Sequence, residues 1–257
     1  MTTLEGKTVL ITGGNSGIGL ATAHLMLAQG ARVAITGRDA TKLEAAAAQL
    51  GGEVLAVQVD LNHPDDAERA IKQVGAAFGR IDVLFANAGI SGPTPLGSTE
   101  LQAFELILRT NLTAVFFTVQ AALPLMPDGG AIVLNGSVMR ELGAPGSAAY
   151  SATKAGITGM AKVFAAELAP RGIRVNTVIP GATRTPIWTR GARSGSNLDA
   201  TEAVFAPRIP LGRLADPEET ANAVLFLATA PGITGAEIVV DGGAIGAPYG
   251  APIFRQP

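Results

Sequence analysis

The chain predicts an α/β fold: one doubly wound, mostly parallel sheet of seven strands with helices on both faces. Two observations carry this. Short apolar runs alternate with longer amphipathic stretches along all 257 residues, which is the pattern of repeated βα units. Several of the apolar runs are unbroken in Val, Ile, Leu and Ala, as strands covered on both faces require. No linker, repeat or low-complexity tract divides the sequence, so residues 1–257 read as a single domain.

The first strand spans Thr8–Thr12 and ends in a glycine-rich turn, followed by a helix over Ile18–Gln29. A strand at Arg32–Thr36 then leads to a helix over Ala40–Leu50, with Asp39 placed to cap it. Val54–Val59 is the third strand. His63-Pro64-Asp65-Asp66 reads as a helix start, with proline in the first turn and acidic residues toward the positive end of the dipole, and the helix runs over Pro64–Phe78. Asp82–Ala86 and Ala131–Asn135 are strands four and five, separated by a long helix over Thr99–Ala122. A helix over Ser147–Ala169 precedes the sixth strand, Arg174–Val178. Asp216-Pro217-Glu218-Glu219 opens a helix over Pro217–Ala228, and Glu237–Val240 is the seventh strand. Two segments read as irregular: a substrate loop at Thr185–Arg213 and a Gly/Pro-rich tail at Ala244–Pro257.

Composition narrows the function. The 47% hydrophobic content predicts a large core, and only 16% of residues are charged. Net charge is −2, from 19 basic and 21 acidic residues, with no basic block to bind nucleic acid. The chain has no cysteine, and its two histidines, His24 and His63, are far apart, so no metal site is expected. Met1 to Gly6 lead straight into an apolar strand, and no apolar run spans a membrane without a charge, Gly or Pro. A cytoplasmic protein is the expectation.

The glycine turn is Gly13-Gly14-Asn15-Ser16-Gly17-Ile18-Gly19, between the first strand and the first helix. Gly13, Gly17 and Gly19 permit a tight turn and close approach of the backbone to a pyrophosphate. The helix N-terminus adds unpaired N–H groups and a favourable dipole. No Gly-Lys-Ser/Thr follows, so this is not a nucleotide P-loop. The second strand ends at Thr36-Gly37-Arg38-Asp39. A site for NAD places an acidic residue at that strand end to hold the ribose hydroxyls. Thr36 leaves room for a 2′-phosphate and Arg38 can pair with it, which favours NADP(H). Two other readings stay open: Arg38 as a solvated loop cation, and Asp39 shifted toward the ribose.

Tyr150 and Lys154 are four residues apart, one turn along a single helix face. A free tyrosine titrates near pH 10, about three units above neutrality. A neighbouring ammonium favours its phenolate, which makes the pair suited to proton exchange with carbonyls and alcohols.

Together these residues resemble the short-chain dehydrogenase/reductase family, from Lys7 to about Gly243. The glycine loop is similar to its TGxxxGxG. Asp60-Leu61 resembles its adenine-contacting pair, and Asn87-Ala88-Gly89 its NAG motif, although Ala86 stands where an asparagine is usual. Asn111, Ser137, Tyr150 and Lys154 resemble its catalytic tetrad. Pro180-Gly181-Ala182-Thr183-Arg184-Thr185 resembles the segment that contacts the nicotinamide. The resemblance implies a Rossmann domain that binds NADP(H) through Gly13, Asn15, Ser16, Gly17, Ile18, Gly19, Arg38, Asp60, Leu61, Asn87, Ala88, Gly89, Tyr150, Lys154, Pro180, Gly181, Thr183 and Thr185. It implies that Tyr150 exchanges the proton, Ser137 orients the substrate oxygen, Lys154 supports Tyr150 and the nicotinamide ribose, and Asn111 holds a relay water. Enoyl reductases of the superfamily place the lysine farther from the tyrosine, so the four-residue spacing implies ketone or secondary-alcohol chemistry. A 3-oxoacyl thioester reductase and a non-catalytic NADP(H) sensor are the alternatives.

On the substrate side, Trp188 is a candidate either to cover the substrate or to pack the lid, and Met139 and Leu142 to form an apolar wall. Arg184, Arg190 and Arg193 are candidates for an anionic group. Leu101, Phe104, Ile107, Leu112, Val115 and Phe116, then Ile157, Met160, Val163 and Phe164, put apolar residues on more than one face of the helices that carry Asn111 and Tyr150. That surplus predicts subunit contacts, and the resemblance implies a homodimer or homotetramer that pairs these helices. Tyr249, Ile253 and Phe254 are candidates for docking on a neighbouring subunit.

Overall fold

A computed structural model describes residues 4–51, 54–189 and 197–250. Arg190, Arg193, Ile253 and Phe254, and the side chain of Tyr249, lie outside the described residues. The strands are β1 (Thr8–Ile11), β2 (Arg32–Gly37), β3 (Leu55–Gln58), β4 (Val83–Ala86), β5 (Ala131–Asn135), β6 (Arg174–Pro180) and β7 (Glu237–Val240). They form one seven-stranded sheet in the order β3-β2-β1-β4-β5-β6-β7. Every neighbouring pair is parallel. The order reverses between β1 and β4, which opens a crevice at the strand C-termini where doubly wound sheets bind ligands.

Both faces of the sheet are covered. On one side α1 (Gly17–Ala28), α2 (Ala40–Leu50) and α8 (Pro217–Thr229) bury Val9, Ile11, Ile35, Phe85, Val133 and Leu227. On the other, α3 (Pro64–Phe78), α5 (Ala114–Ala122) and α6 (Ala148–Leu168) bury Leu10, Leu84, Ile132, Leu134 and Ile157. Alternate residues of one strand thus feed two cores, and this is why the strands read as continuous apolar runs.

The helix starts follow their local signals. Asp39 accepts from Lys42 N at 3.1 Å, a cap that contributes about 1 kcal/mol. Asp216 and Glu219 form a reciprocal capping box at the start of α8. Pro64 opens α3, and Gly79 ends it in the left-handed region at φ 79°.

Two segments depart from the expectation. The stretch expected as one helix over Thr99–Ala122 is α4 (Leu101–Leu108), a π-turn at Arg109–Thr113, then α5. The run Leu101–Leu125 is long and apolar enough to cross a membrane by length and composition. It carries Glu105 and Arg109, and it buries Ile107, Val115, Val119 and Ala122 within the protein. Within the expected irregular loop, residues Leu198–Phe205 form a helix, α7, whose N-cap Asn197 accepts from Asp199 N at 2.8 Å.

Candidate active site

The glycine loop crosses the end of β1. Gly13 and Gly17 hold φ of 64° and 53°, conformations that favour glycine. A Cβ on Gly19 would lie 2.4 Å from Gly13 O, so α1 closes on the loop only without a side chain there. Ser16 makes no side-chain cap bond, and the first turn of α1 has no acidic residue. Its N–H groups and dipole therefore remain for an external anion, and this donor set fits a pyrophosphate. Thr185 comes down over this point, 3.0 Å from where a Gly17 Cβ would be.

At the end of β2, Asn15 covers Gly37. Arg38 is exposed, and its carbonyl accepts from Gln58 Nε2 at 3.1 Å. Asp39 is committed to α2. It caps Lys42 N and pairs with Lys42 Nζ at 3.1 Å, and the bond to the Lys42 N–H foremost holds its carboxyl below the usual value. Asp39 thus has local work, while the Arg38 side chain is exposed and has no hydrogen bond or ion pair among the described residues.

Asn87 is the keystone between β1 and β4. Its amide nitrogen donates to Thr12 O at 3.0 Å and Gly13 O at 3.2 Å. Thr12 Oγ1 accepts from the N–H groups of Asn87 and Ala88 at 2.9 and 3.0 Å. Gly89 lies against Asn111 Oδ1, 3.3 Å from the position a Cβ would take. Asp60 accepts both the backbone and amide N–H of Asn62, and Leu61 packs on the core. Asn62 Oδ1 in turn accepts from Thr110 in the π-turn.

Asn111 is 1% exposed and pairs like a strand with residue 90: its Oδ1 accepts Ile90 N and its Nδ2 donates to Ile90 O, both at 2.8 Å. Both ends of the amide are engaged, which accounts for the widened helical turn around it. The second hydrogen of Nδ2 points to Thr153 Oγ1 at 3.5 Å, and Oδ1 keeps one lone pair.

Ser137 follows β5 and is 7% exposed. Its Oγ accepts from Met139 N at 3.2 Å, which leaves the hydroxyl proton to donate. Tyr150, half-buried, stands in the first turn of α6. Lys154 is 4% exposed, with Nζ 2.6 Å from Asn135 O and 5.6 Å from the centre of the Tyr150 ring. Burial brings its pKa down to about 8. Below about pH 8 it is charged, one helical turn from the tyrosine.

Two residues of the site carried no sequence signal. Thr94, 2% exposed, accepts Ala149 N at 3.1 Å and so caps α6, the tyrosine helix, from a different segment. Asn135 holds both Lys154 and Asn87.

After β6, Gly181 packs directly on Asp241, and Thr183, 4% exposed, bridges Ala215. Trp188 donates from Nε1 to Thr183 O at 2.7 Å and lies 5.0 Å from the Phe205 ring, so it packs the loop onto α7. Arg184 departs from its expected role. It is paired with Glu202 and lies 3.5 Å from Asp216, so its charge is already matched within the chain. Met139 is half-buried and Leu142 is exposed.

Comparison with known proteins agrees with this geometry. The model of the family described as enoyl-(acyl carrier protein) reductase matches residues 13–244. The chain is 39% identical over 254 residues to a 3-oxoacyl-acyl-carrier-protein reductase of Synechocystis sp., covering 95% of this chain and 99% of that protein. The chain belongs to the short-chain dehydrogenase/reductase family. Members of this family are oxidoreductases. Another relative, a D-threitol dehydrogenase of Mycolicibacterium smegmatis, is 39% identical over 247 residues, covering 93% of each chain. A blue fluorescent protein from a metagenomic library, solved in complex with NADPH, superposes with a TM-score of 0.86 at 34% identity, covering 95% of this chain and all of the other.

Proposed function

We propose that the protein is an NADP(H)-dependent oxidoreductase that interconverts a ketone and a secondary alcohol in the cytoplasm, with Tyr150 as the general acid and base. The single observation that carries this reading is the buried Lys154 ammonium, one helical turn from Tyr150 and seated on the main-chain carbonyl of Asn135 at the end of β5. Gly13, Asn15, Ser16, Gly17, Ile18 and Gly19 would hold the pyrophosphate, and Arg38 the 2′-phosphate. Asp60 and Leu61 would flank the adenine. Asn87, Ala88, Gly89, Pro180, Gly181, Thr183 and Thr185 would line the nicotinamide side. Bound NADPH would supply the hydride.

The remaining steps belong to the chain. Ser137 donates its free hydroxyl proton to the substrate oxygen and aims it at Tyr150. Tyr150 gives its proton to the oxygen as negative charge develops there, and takes it back in the oxidative direction. Lys154 holds positive charge beside the phenol, which favours the phenolate left behind. Asn111 fixes the Ile90 segment against α6, keeping the Tyr150 helix and the crevice wall in register. The matching family model bears an enoyl reductase description. The spacing of Tyr150 and Lys154 favours carbonyl chemistry, and the relatives include both a 3-oxoacyl reductase and a polyol dehydrogenase. With Arg184 already paired, an anionic group on the substrate has little support among the described residues, and Met139 and Leu142 favour an apolar ketone. Leu101, Phe116 and Val163 remain 69%, 40% and 54% exposed on α4, α5 and α6, which supports a homodimer or homotetramer built on those helices.

The test is spectrophotometric: loss of reduced-nicotinamide absorbance is followed with NADPH or NADH against ketones and 3-oxoacyl thioesters, and its appearance with NADP+ or NAD+ against secondary alcohols. Turnover of apolar ketones with NADPH supports the reading. Tight NADPH binding with no turnover of any substrate would favour a redox sensor. Arg38→Asp is expected to swing kcat/KM toward NADH by about 10²-fold, through loss of a charge-assisted pair of roughly 3 kcal/mol. An unchanged preference would refute the assignment of Arg38.

A further inference from the structure

Ser137 stands at the head of a single turn of 3₁₀ helix, Val138–Arg140. Its Oγ accepts from Met139 N at 3.2 Å, and its carbonyl accepts from Arg140 N at 3.1 Å. Glu141 N and Leu142 N close on Val138 O. The place of the Ser137 hydroxyl is therefore set by this turn. One turn of 3₁₀ helix has little stability of its own, so its position depends on what it is fastened to.

Arg140 supplies the fastening. Its side chain is 11% exposed, and its guanidinium pairs with Glu237, 97 positions further on. Glu237 opens β7, and β6 lies between β7 and the strand from which the turn departs. The arginine thus reaches past a whole strand. Glu237 is in register with Thr177 of β6, so the anchor belongs to the sheet and not to a loop. Lys162 of α6 lies 3.3 Å from the other carboxylate oxygen, and Glu141 lies 2.6 Å from the second guanidinium nitrogen. Two cations and two anions balance. Burial works to raise the Glu237 pKa, but the bonds from Arg140 and Lys162 outweigh it and hold the carboxyl below its usual value.

As a source of stability alone, this cluster is a poor choice. Taking charges out of water costs about as much as their attraction returns. Arg140 Nε is also buried with no hydrogen-bond partner among the described residues. What an arginine–carboxylate pair adds over an apolar contact is fixed direction.

We propose that Arg140 and Glu237 are positioning residues that hold the Ser137 turn, and with it the hydroxyl that meets the substrate oxygen, in one place against the sheet. The inference rests on the reading that Ser137 orients that oxygen. Both side chains act through Ser137 rather than on the substrate.

The test is a double-mutant cycle. Arg140→Met/Glu237→Gln removes both charges together, so neither is stranded in the interior and the fold is expected to survive. With a responsive ketone, kcat is expected to fall about ten-fold, part of the roughly 10²- to 10³-fold that outright loss of such a donor costs. NADPH affinity is expected to stay unchanged. In a Ser137→Ala background the same two changes should cost less than about two-fold, because the group through which they act is gone. Arg140→Lys, which keeps the charge, is expected to recover part of the loss. Hydrogen exchange at the amides of Met139 to Leu142 gives a readout that needs no turnover, and it should be faster in the charge-free variant. An equal loss of kcat with and without the Ser137 hydroxyl would mean a general distortion and would overturn the inference. Unaltered kcat, or unaltered exchange in the turn, would overturn it too. If the unsubstituted protein reduces no ketone, the failure lies with the oxidoreductase reading, and exchange in the turn still judges the tether.

Discussion

Tyr150→Phe is expected to lower kcat by about 10²- to 10⁴-fold, the range general acid–base catalysis contributes, while weakening NADPH by no more than about ten-fold, the cost of the one neutral hydrogen bond the phenol could make to the cofactor. The substitution removes one oxygen and keeps the ring. Tyr150 is half-buried in the first turn of α6, and the backbone there is pinned by Thr94 on Ala149 N and by Thr153 Oγ1 on Tyr150 O at 2.7 Å. None of those bonds uses the phenol oxygen, so the helix should survive. Lys154 remains seated on Asn135 O. What disappears is the proton that must reach the substrate oxygen as the hydride arrives. Steady-state kinetics with a responsive ketone read the first effect, and titration of NADPH reads the second. Unimpaired turnover in the phenylalanine variant would remove Tyr150 from the mechanism. A parallel collapse of cofactor binding would show that the phenol was structural.

The crevice was legible in the sequence because its parts are local. A glycine turn between a strand and a helix, and a tyrosine and lysine one turn apart, can be read from spacing alone, and the strand alternation sets where they meet. Strand ends moved by only a residue or two: β6, for example, runs on to Pro180, where it still pairs with Val240 of β7. What stayed hidden depends on partners distant in sequence. The π-turn cannot be seen in the helical periodicity of Leu101–Ala122, because it forms where Asn111 reaches the backbone of Ile90. Helix α7 is one short amphipathic stretch in a glycine- and arginine-rich loop, and Phe205 gains its partner only when Trp188 folds over it. Arg184 looked available for a ligand because Glu202 and Asp216 are 18 and 32 positions further on. Asn135 and Thr94 belong to no spacing rule at all. Each acts through hydrogen bonds across the fold, Asn135 to Asn87 and Lys154, and Thr94 to Ala149.

Lys154→Met should move activity and stability in opposite directions. Turnover is expected to fall by at least about 10²-fold, since Tyr150 loses the charge that favours its phenolate. The cofactor-free fold, by contrast, should gain stability at neutral pH. Burial holds the Lys154 pKa at about 8, against 10.5 for the free side chain. Below pH 8 the ammonium is charged in both the folded and unfolded chain, and the folded state carries the whole desolvation cost, of order 3 kcal/mol. Between about 8 and 10.5 the unfolded chain retains a proton that the folded one has released, so the native protein becomes more stable as pH rises and the cost fades. Methionine has a similar length and no charge. It forgoes the bond to Asn135 O, which contributes about 1 kcal/mol, leaving a net gain of about 2 kcal/mol for the variant at pH 7. That lead should shrink on going to pH 9.5 and be reversed near pH 10.5, where only the lost bond remains. Urea unfolding of both proteins at pH 7, 8.5 and 9.5 reads the trend. A variant less stable than its parent at pH 7, or a difference that ignores pH, would mean that the buried ammonium is compensated within the fold. A fading lead would mean that the protein keeps a charge in its interior at the expense of stability, for a use that only the crevice above it explains.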